Sequence, residues 1–339
     1  MRTDQVIIVF VHLNGEIPRY LKSNLISTAL KFPANKVVLL TNRKQKWWHK
    51  KVTVVVQPDT KWREWSLKLS HPVNFRNNFW FTSIARFFAL EEFLEASAAP
   101  LLHIESDVIV AKNLPLDDFL NGKNDFAFPL VSVERGVASV VYIKNLKAIK
   151  HFNNYAKNEM LKNPSTSDML ILGSYFNSFP SKVQVLPTAP GVAEAFRENV
   201  PPKIKKKIIE SFEIFRGIVD GNDLGMYFYG TDPRNLRGKS ILYRAIDSSF
   251  LRVEDFLLHK SKKSELPFLT IKGNEKRFPI FAIHATCKDN RLFDYKLQES
   301  KLASKAGEIH KSEKKLFVVS VMITQFLKSL TNRLYKVFK

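Results

Sequence analysis

Cysteine is nearly absent: Cys287 stands alone in 339 residues. One thiol cannot close an internal disulfide or furnish a cysteine-rich zinc module, so a packed core must hold the fold. This usage suits a reducing compartment. Glycine and proline are sparse, at twelve and sixteen residues, which excludes collagen-like and linker-dominated chains. The apolar runs 6–11 and 316–323 fall far short of the roughly 20 residues a bilayer-spanning helix needs. The first follows Asp4 and lacks a small-residue cleavage site, so it is expected to be a strand rather than a secretory leader. Acid is scarce relative to base: 32 Asp and Glu against 53 Lys and Arg give a formal net charge of +21. Such an excess favours an anionic partner, whether nucleic acid, a phosphorylated small molecule or a negatively charged membrane face. The remaining composition, 45% hydrophobic and 25% charged, is that of a globular chain and excludes disorder.

Strand and helix signals alternate from the start. Residues 5–12 form a β-branched run suited to a sheet buried on both faces. Pro18 opens a helical spacing over 19–32, carried by Tyr20, Leu21, Leu25, Ile26, Ala29 and Leu30. Short apolar runs follow at 36–41 and 52–56, so a β-α-β-β order predicts a doubly wound, Rossmann-like sheet. A tryptophan-bearing stretch (Trp47, Trp48, Trp62, Trp65, Trp80) leads into a helix over 79–95. Further strands are expected at 99–104, 125–130, 139–143, 183–186 and 278–283, with a helix at 146–161. No internal repeat or low-complexity linker interrupts the order, so one α/β domain is expected over 1–300. Residues 301–339 form a separate tail. From 311 onward it has no Gly or Pro, and seven basic residues stand against Glu313. An apolar stripe with a lysine-rich rim predicts an amphipathic helix in the plane of an anionic membrane interface; packing back on the domain fits the same pattern.

Glu105-Ser106-Asp107 is the central feature. Two carboxylates flank a small residue at the carboxyl end of a buried strand, where open α/β sheets bind ligands. Hard oxygen ligands at this spacing can share one divalent cation, which in turn can neutralise a diphosphate.

Around this triplet the sequence resembles the nucleotide-sugar-dependent glycosyltransferases of the GT-A fold, in particular the bacterial enzymes that build surface polysaccharide. The likeness runs through Thr82-Ser83-Ile84-Ala85-Arg86-Phe87-Phe88-Ala89-Leu90 and then Leu102-His103-Ile104-Glu105-Ser106-Asp107-Val108-Ile109-Val110. It continues at Ser167-Asp168-Met169-Leu170, at Asp220-Gly221-Asn222-Asp223-Leu224-Gly225 through Gly230-Thr231-Asp232-Pro233-Arg234-Asn235, and at Ile283-His284-Ala285-Thr286-Cys287-Lys288. It covers residues 5 to about 290. The sequence departs from the family pattern in two places: Glu105 replaces the first acid of the DxD triplet, and one of the two closing histidines is missing.

The resemblance implies a GT-A mixed sheet flanked by helices and transfer of a sugar from a nucleotide-sugar donor, UDP-sugar being expected. The acceptor would be a hydroxyl of a glycan or lipid-linked molecule at the cytoplasmic face of a membrane. It implies Glu105, Asp107 and His284 as metal ligands, and Arg86, Glu105 and Lys288 as contacts to the donor. Asp220 and Asp223 are the catalytic candidates, for acceptor binding or general base. Mn²⁺ or Mg²⁺ is the implied ion, and an imidazole ligand suits Mn²⁺ better. Simpler readings stand beside these. His284 equally fits a core histidine, Asp220 a turn-forming residue, and Asp168 a helix cap. Two rival functions also remain: a nucleic-acid binder using the Trp/Arg/Lys-rich residues 43–63, and a catalytically lapsed membrane scaffold.

Overall fold

The computed structural model describes residues 6–13, 15–57, 79–122, 124–229, 250–259, 267–288 and 290–293. The expected amphipathic tail at 301–339, the segment 230–235 and the side chains of Trp62, Trp65 and Trp80 lie outside the described residues.

The first sheet begins with β1 (Ile7–His12), α1 (Arg19–Lys31), β2 (Val37–Thr41) and β3 (Val52–Val56). These are followed by α2 (Phe79–Glu95), β4 (Leu101–Ile104), β5 (Val108–Val110) and α3 (Leu116–Leu120). Strands β1 to β4 run parallel in the order β3-β2-β1-β4. The next elements are β6 (Phe126–Ser132), β7 (Arg135–Gly136), β8 (Val140–Ile143), α4 (Leu146–Lys162), α5 (Asp168–Ser178) and β9 (Val183–Leu186). Here the sheet turns mixed: β8 lies antiparallel to β4, β6 antiparallel to β8, and β9 parallel to β6. The expected mixed α/β sheet is therefore the architecture observed.

Both faces of this sheet are buried, as continuous apolar strands require. Successive residues alternate between two cores with the two-residue period of a strand. Val9, Val38, Leu40 and Leu101 face a core built with α2, α4 and α5; Ile8, Phe10, Leu39 and Leu102 face one built with α1 and α3. In the first core Phe126 stacks on Phe152 with ring centroids 5.1 Å apart, and Tyr175 meets Phe152 edge-on at the same separation. Asn145 starts α4 by accepting the Ala148 N–H at 2.9 Å.

A second, five-stranded sheet is not evident from the sequence pattern. After α6 (Pro202–Phe215) come β10 (Ile218–Val219), α7 (Asp223–Tyr229), β11 (Phe256–His259), β12 (Phe268–Ile271), β13 (Asn274–His284) and α8 (Asn290–Phe293). Its order is β10-β13-β12-β11, with β5 also pairing β13. Strand β13 is therefore longer than the expected 278–283, because its first half pairs with β12 and its second half with β5 and β10.

Gly173 on α5 sits against the turn joining β6 and β7. A Cβ there would overlap the carbonyl of Glu134 and lie 2.6 Å from the Arg135 nitrogen. These are backbone atoms that cannot swing aside, so Gly173→Ala should cost about 1–3 kcal/mol of stability, read from the midpoint of urea unfolding.

Candidate functional site

The acid triplet lies at the carboxyl end of β4, on the edge where the parallel strands β1 to β4 all end. The Glu105 amide donates to the Ser139 carbonyl at 3.0 Å, and the Val108 amide to the Glu105 carbonyl at 3.1 Å, closing a tight turn. Asn24 on α1 braces that turn, donating to the carbonyls of Ser106 at 3.1 Å and Val108 at 2.8 Å.

The antiparallel register of β5 and β13 supplies the next group. It sets His284 opposite Val108, and the Ala285 amide donates to the Asp107 carbonyl at 2.8 Å. His284 Nε2 then lies 3.3 Å from Asp107 Oδ1 and 3.6 Å from Glu105 Oε2. Its Nδ1 is 2.9 Å from the Gly221 carbonyl. A carbonyl can only accept, so Nδ1 carries the proton and Nε2 is the atom presented to the carboxylates. Four residues on, Lys288 adopts φ 56°, a left-handed conformation uncommon outside glycine. It places Nζ 3.2 Å from Asp107 Oδ2.

Arg86 on α2 closes the other side. Its Nη1 pairs with Glu105 Oε1, its Nη2 lies 3.2 Å from Asp168 Oδ2, and its Nε donates to the Ser83 carbonyl at 2.6 Å. Both of its carboxylate partners thus come from other elements, while Glu91 on its own helix accepts from Asn153 at 2.7 Å. Asp168 is not the cap of α5 either. Ser167 takes that position and accepts the Leu170 amide at 3.4 Å, which leaves the Asp168 carboxylate for the guanidinium.

Asp107 and His284 are buried, at 8% exposure each, so charge must be balanced locally. Burial alone would raise the Asp107 pKa, but His284 and Lys288 outweigh it and hold the carboxyl well below its usual range. Burial likewise opposes ionisation of Glu105, and Arg86 and His284 reverse that, lowering its pKa. For Asp168 burial prevails over Arg86 and the pKa rises. Burial would lower the His284 pKa, but Asp107 and then Glu105 raise it to about 9.

One oxygen is left over. Glu105 Oε2 is buried with no hydrogen-bond partner among the described residues. It belongs to a cluster in which one donor atom each from Glu105, Asp107 and His284 lies within 4.8 Å of the others. Two hard oxygens, one of them unsatisfied, and an imidazole nitrogen held in the right tautomer are a donor set that fits a divalent cation such as Mn²⁺.

Asp220 and Asp223 are placed differently. Asp220 follows β10, is 1% exposed, and accepts the amides of Leu224 at 3.1 Å, Gly225 at 2.8 Å and His284 at 3.1 Å. Burial raises its pKa despite those donors. Asp223 is the first residue of α7 and is half-buried. The role of Gly225 is not apparent from the sequence: a Cβ there would overlap the His284 carbonyl, so only glycine lets α7 approach the end of β13 so closely.

No family model and no curated protein matches the chain. Among solved structures, the glycosyltransferase GlyE of Streptococcus pneumoniae TIGR4 is 16% identical with a TM-score of 0.38, covering 54% of this chain and 45% of that one. The bifunctional glycosyltransferase WbbM in its apo form is 13% identical with a TM-score of 0.37, covering 62% and 44%. The galactosyltransferase LgtC, in complex with donor and acceptor sugar analogs, is 14% identical with a TM-score of 0.36, covering 91% and 100%. The chain thus spans less than half the length of GlyE and of WbbM.

A raised histidine pKa ties stability to pH. With the folded pKa about 9 and the ordinary histidine value 6.5, the contribution of His284 is fully present below pH 6.5 and disappears as pH rises through about 9. Metal-free protein should therefore lose on the order of a few kcal/mol across that window. His284→Gln should be less stable at pH 6 and lack the slope, as read by chemical denaturation at each pH.

Proposed function

We propose that this chain is a divalent-metal-dependent glycosyltransferase. It moves a sugar from a nucleotide-activated donor, a UDP-sugar being the first choice, to a hydroxyl of a glycan or lipid-linked acceptor in surface polysaccharide synthesis. The observation that carries this reading is the convergence of Glu105, Asp107, His284, Lys288 and Arg86 from three segments onto the carboxyl edge of a parallel sheet. Glu105, Asp107 and His284 would hold the cation through Oε2, a carboxylate oxygen and Nε2. When bound, the ion supplies positive charge against the diphosphate that leaves with the nucleoside. Lys288, a single charge on a long stem, rests on Asp107, and it could turn to phosphate oxygens once another charge neutralises that carboxylate. Arg86 fixes Glu105 from behind with a forked guanidinium, so we assign it to orienting a ligand rather than to contacting the donor.

In the transfer, the acceptor oxygen bonds to the anomeric carbon, the bond from that carbon to the diphosphate breaks, and the acceptor proton must find a base. Asp220, with its oxygens engaged by three backbone donors, suits the positioning of His284 better than proton abstraction. Asp223, at the start of the adjoining helix, is the remaining candidate of the pair for the acceptor side. The glycosyltransferase domain is proposed to comprise residues 1–300, with 301–339 as a basic amphipathic tail.

A panel of nucleotide sugars, assayed for donor hydrolysis and transfer with and without Mn²⁺, tests donor, metal and activity together. Asp107→Ala should abolish metal-stimulated turnover and Mn²⁺ binding while leaving the circular dichroism spectrum unchanged; undiminished turnover in that variant would refute the reading. Asp220→Asn should keep the fold and weaken Mn²⁺ binding by roughly 10–100-fold, the usual effect of removing the support behind a ligand. Calorimetric titration with Mn²⁺ alone measures this, and an unchanged affinity would return Asp220 to the catalytic candidates.

A further inference from the structure

We propose that the loop joining β2 to β3 is a docking surface for an anionic phospholipid bilayer. This goes beyond sugar transfer and does not depend on it. Residues 42–51 read Asn-Arg-Lys-Gln-Lys-Trp-Trp-His-Lys-Lys, with five Lys or Arg and no acid. Arg43, Lys44, Lys46, Lys50 and Lys51 are all exposed. At their centre Trp48 is 75% exposed, the most exposed large hydrophobic residue described. Its neighbour Trp47 turns the other way and packs against the α1-side core.

The loop is built to hold that arrangement. Gln45 donates to Thr41 Oγ1 and to the Arg43 carbonyl, each at 3.2 Å. On the far side His49 bridges Val52, and its Nδ1 accepts the Lys51 amide at 3.3 Å. Trp48 thus crowns a pinned turn.

A solitary exposed Leu needs no explanation, but a Trp ringed by cations does. Two occupants suit that chemistry, a single-stranded nucleic acid and an anionic lipid surface. A nucleic-acid groove stacks successive bases on several aromatic platforms, whereas here one ring is exposed and its neighbour is packed inward. A single amphipathic ring amid five basic residues is instead the pattern that settles at the headgroup level, with cations drawn to anionic lipid.

Position adds to this. The loop leaves the carboxyl end of β2, and β4 delivers Glu105 at the same edge with only β1 between them. A bilayer held at the loop would therefore lie beside the acid cluster.

The full chain, mixed with vesicles of phosphatidylglycerol in phosphatidylcholine, tests the proposal. All five tryptophans lie between 47 and 80, so quenching of their emission by brominated lipid is blind to residues 301–339. Binding to anionic vesicles should quench the emission, and Trp48→Phe should remove most of the quenching. Lys44→Gln/Lys46→Gln/Lys50→Gln should weaken co-sedimentation by roughly a hundredfold at low salt, about fivefold per lysine. Pure phosphatidylcholine should not bind either form. Vesicle binding that survives both variants unchanged would overturn the proposal in favour of the tail. Tighter binding of a random single-stranded oligonucleotide, lost in the same variants, would overturn it in favour of nucleic acid. Each substitution is at an exposed position, so an unaltered melting temperature shows that the loss is one of binding.

Discussion

Three carboxylates gathered at one site, two following β4 and one opening α5, largely out of water, are the constraint around which the site is organised. Glu105, Asp107 and Asp168 would repel one another and resist burial, and the chain meets them with Arg86, Lys288 and a protonated His284. Arg86 comes from α2, whereas His284 and Lys288 stand four residues apart at and just beyond the end of β13, and each needs its own backbone support. Arg86 is held by the Ser83 carbonyl, Lys288 by a left-handed turn, and His284 by the register of β5 against β13. Buried ion clusters of this kind are weak contributors to net stability, because desolvation offsets most of the attraction. Their placement on a sheet edge therefore points to function more than to folding.

The balance is also one that a ligand can reset. Two of the three positive groups are conditional: His284 can release the proton on Nε2, and Lys288 is a single point charge on a flexible stem. Arg86 is not conditional, since its guanidinium stays charged and its fork is engaged at two carboxylates. The same cluster thus has a fixed half, which orients Glu105, and an exchangeable half around Asp107. Burial of the histidine with its Nδ1–H on Gly221 means that exchange alters charge without moving the ring.

Much of this was legible in the sequence because it is local. The strand 101–104 running into Glu105-Ser106-Asp107 announces itself, and the helix over 79–95 is observed at the same residues. Resemblance contributed Arg86, His284 and Lys288, which the fold does gather round the acids. The pairings within the cluster were not legible. Asp168 looks like a cap because three capping residues precede it, and only the approach of α2 shows that Ser167 caps while Asp168 meets Arg86. The second sheet was equally hidden: β5 has three residues and β10 two, too few for any period to register. Their strand character exists only through β13. Helix α6, not among the expected elements, does carry a local signal, with Pro202 in its first turn and Ile204, Ile208, Ser211 and Phe215 buried along one face.

Asp220 shows why residue type alone misleads about role. A carboxylate in a glycine-punctuated loop has the composition of a catalytic base and of a turn, and nothing local separates the two. Its surroundings do: three amides converge on it, one from His284 itself, while the next carbonyl, that of Gly221, takes the imidazole proton. Two adjacent residues therefore set both the backbone and the ring of His284, and Gly225 admits the helix that completes the cradle. A group can shape a reaction by deciding where a ligand's nitrogen points, and the geometry for that is carried by hydrogen bonds over 63 and 64 positions of sequence separation. Only the folded chain brings these positions together, which is why the most consequential contact of this carboxylate cannot be read from its neighbours in sequence.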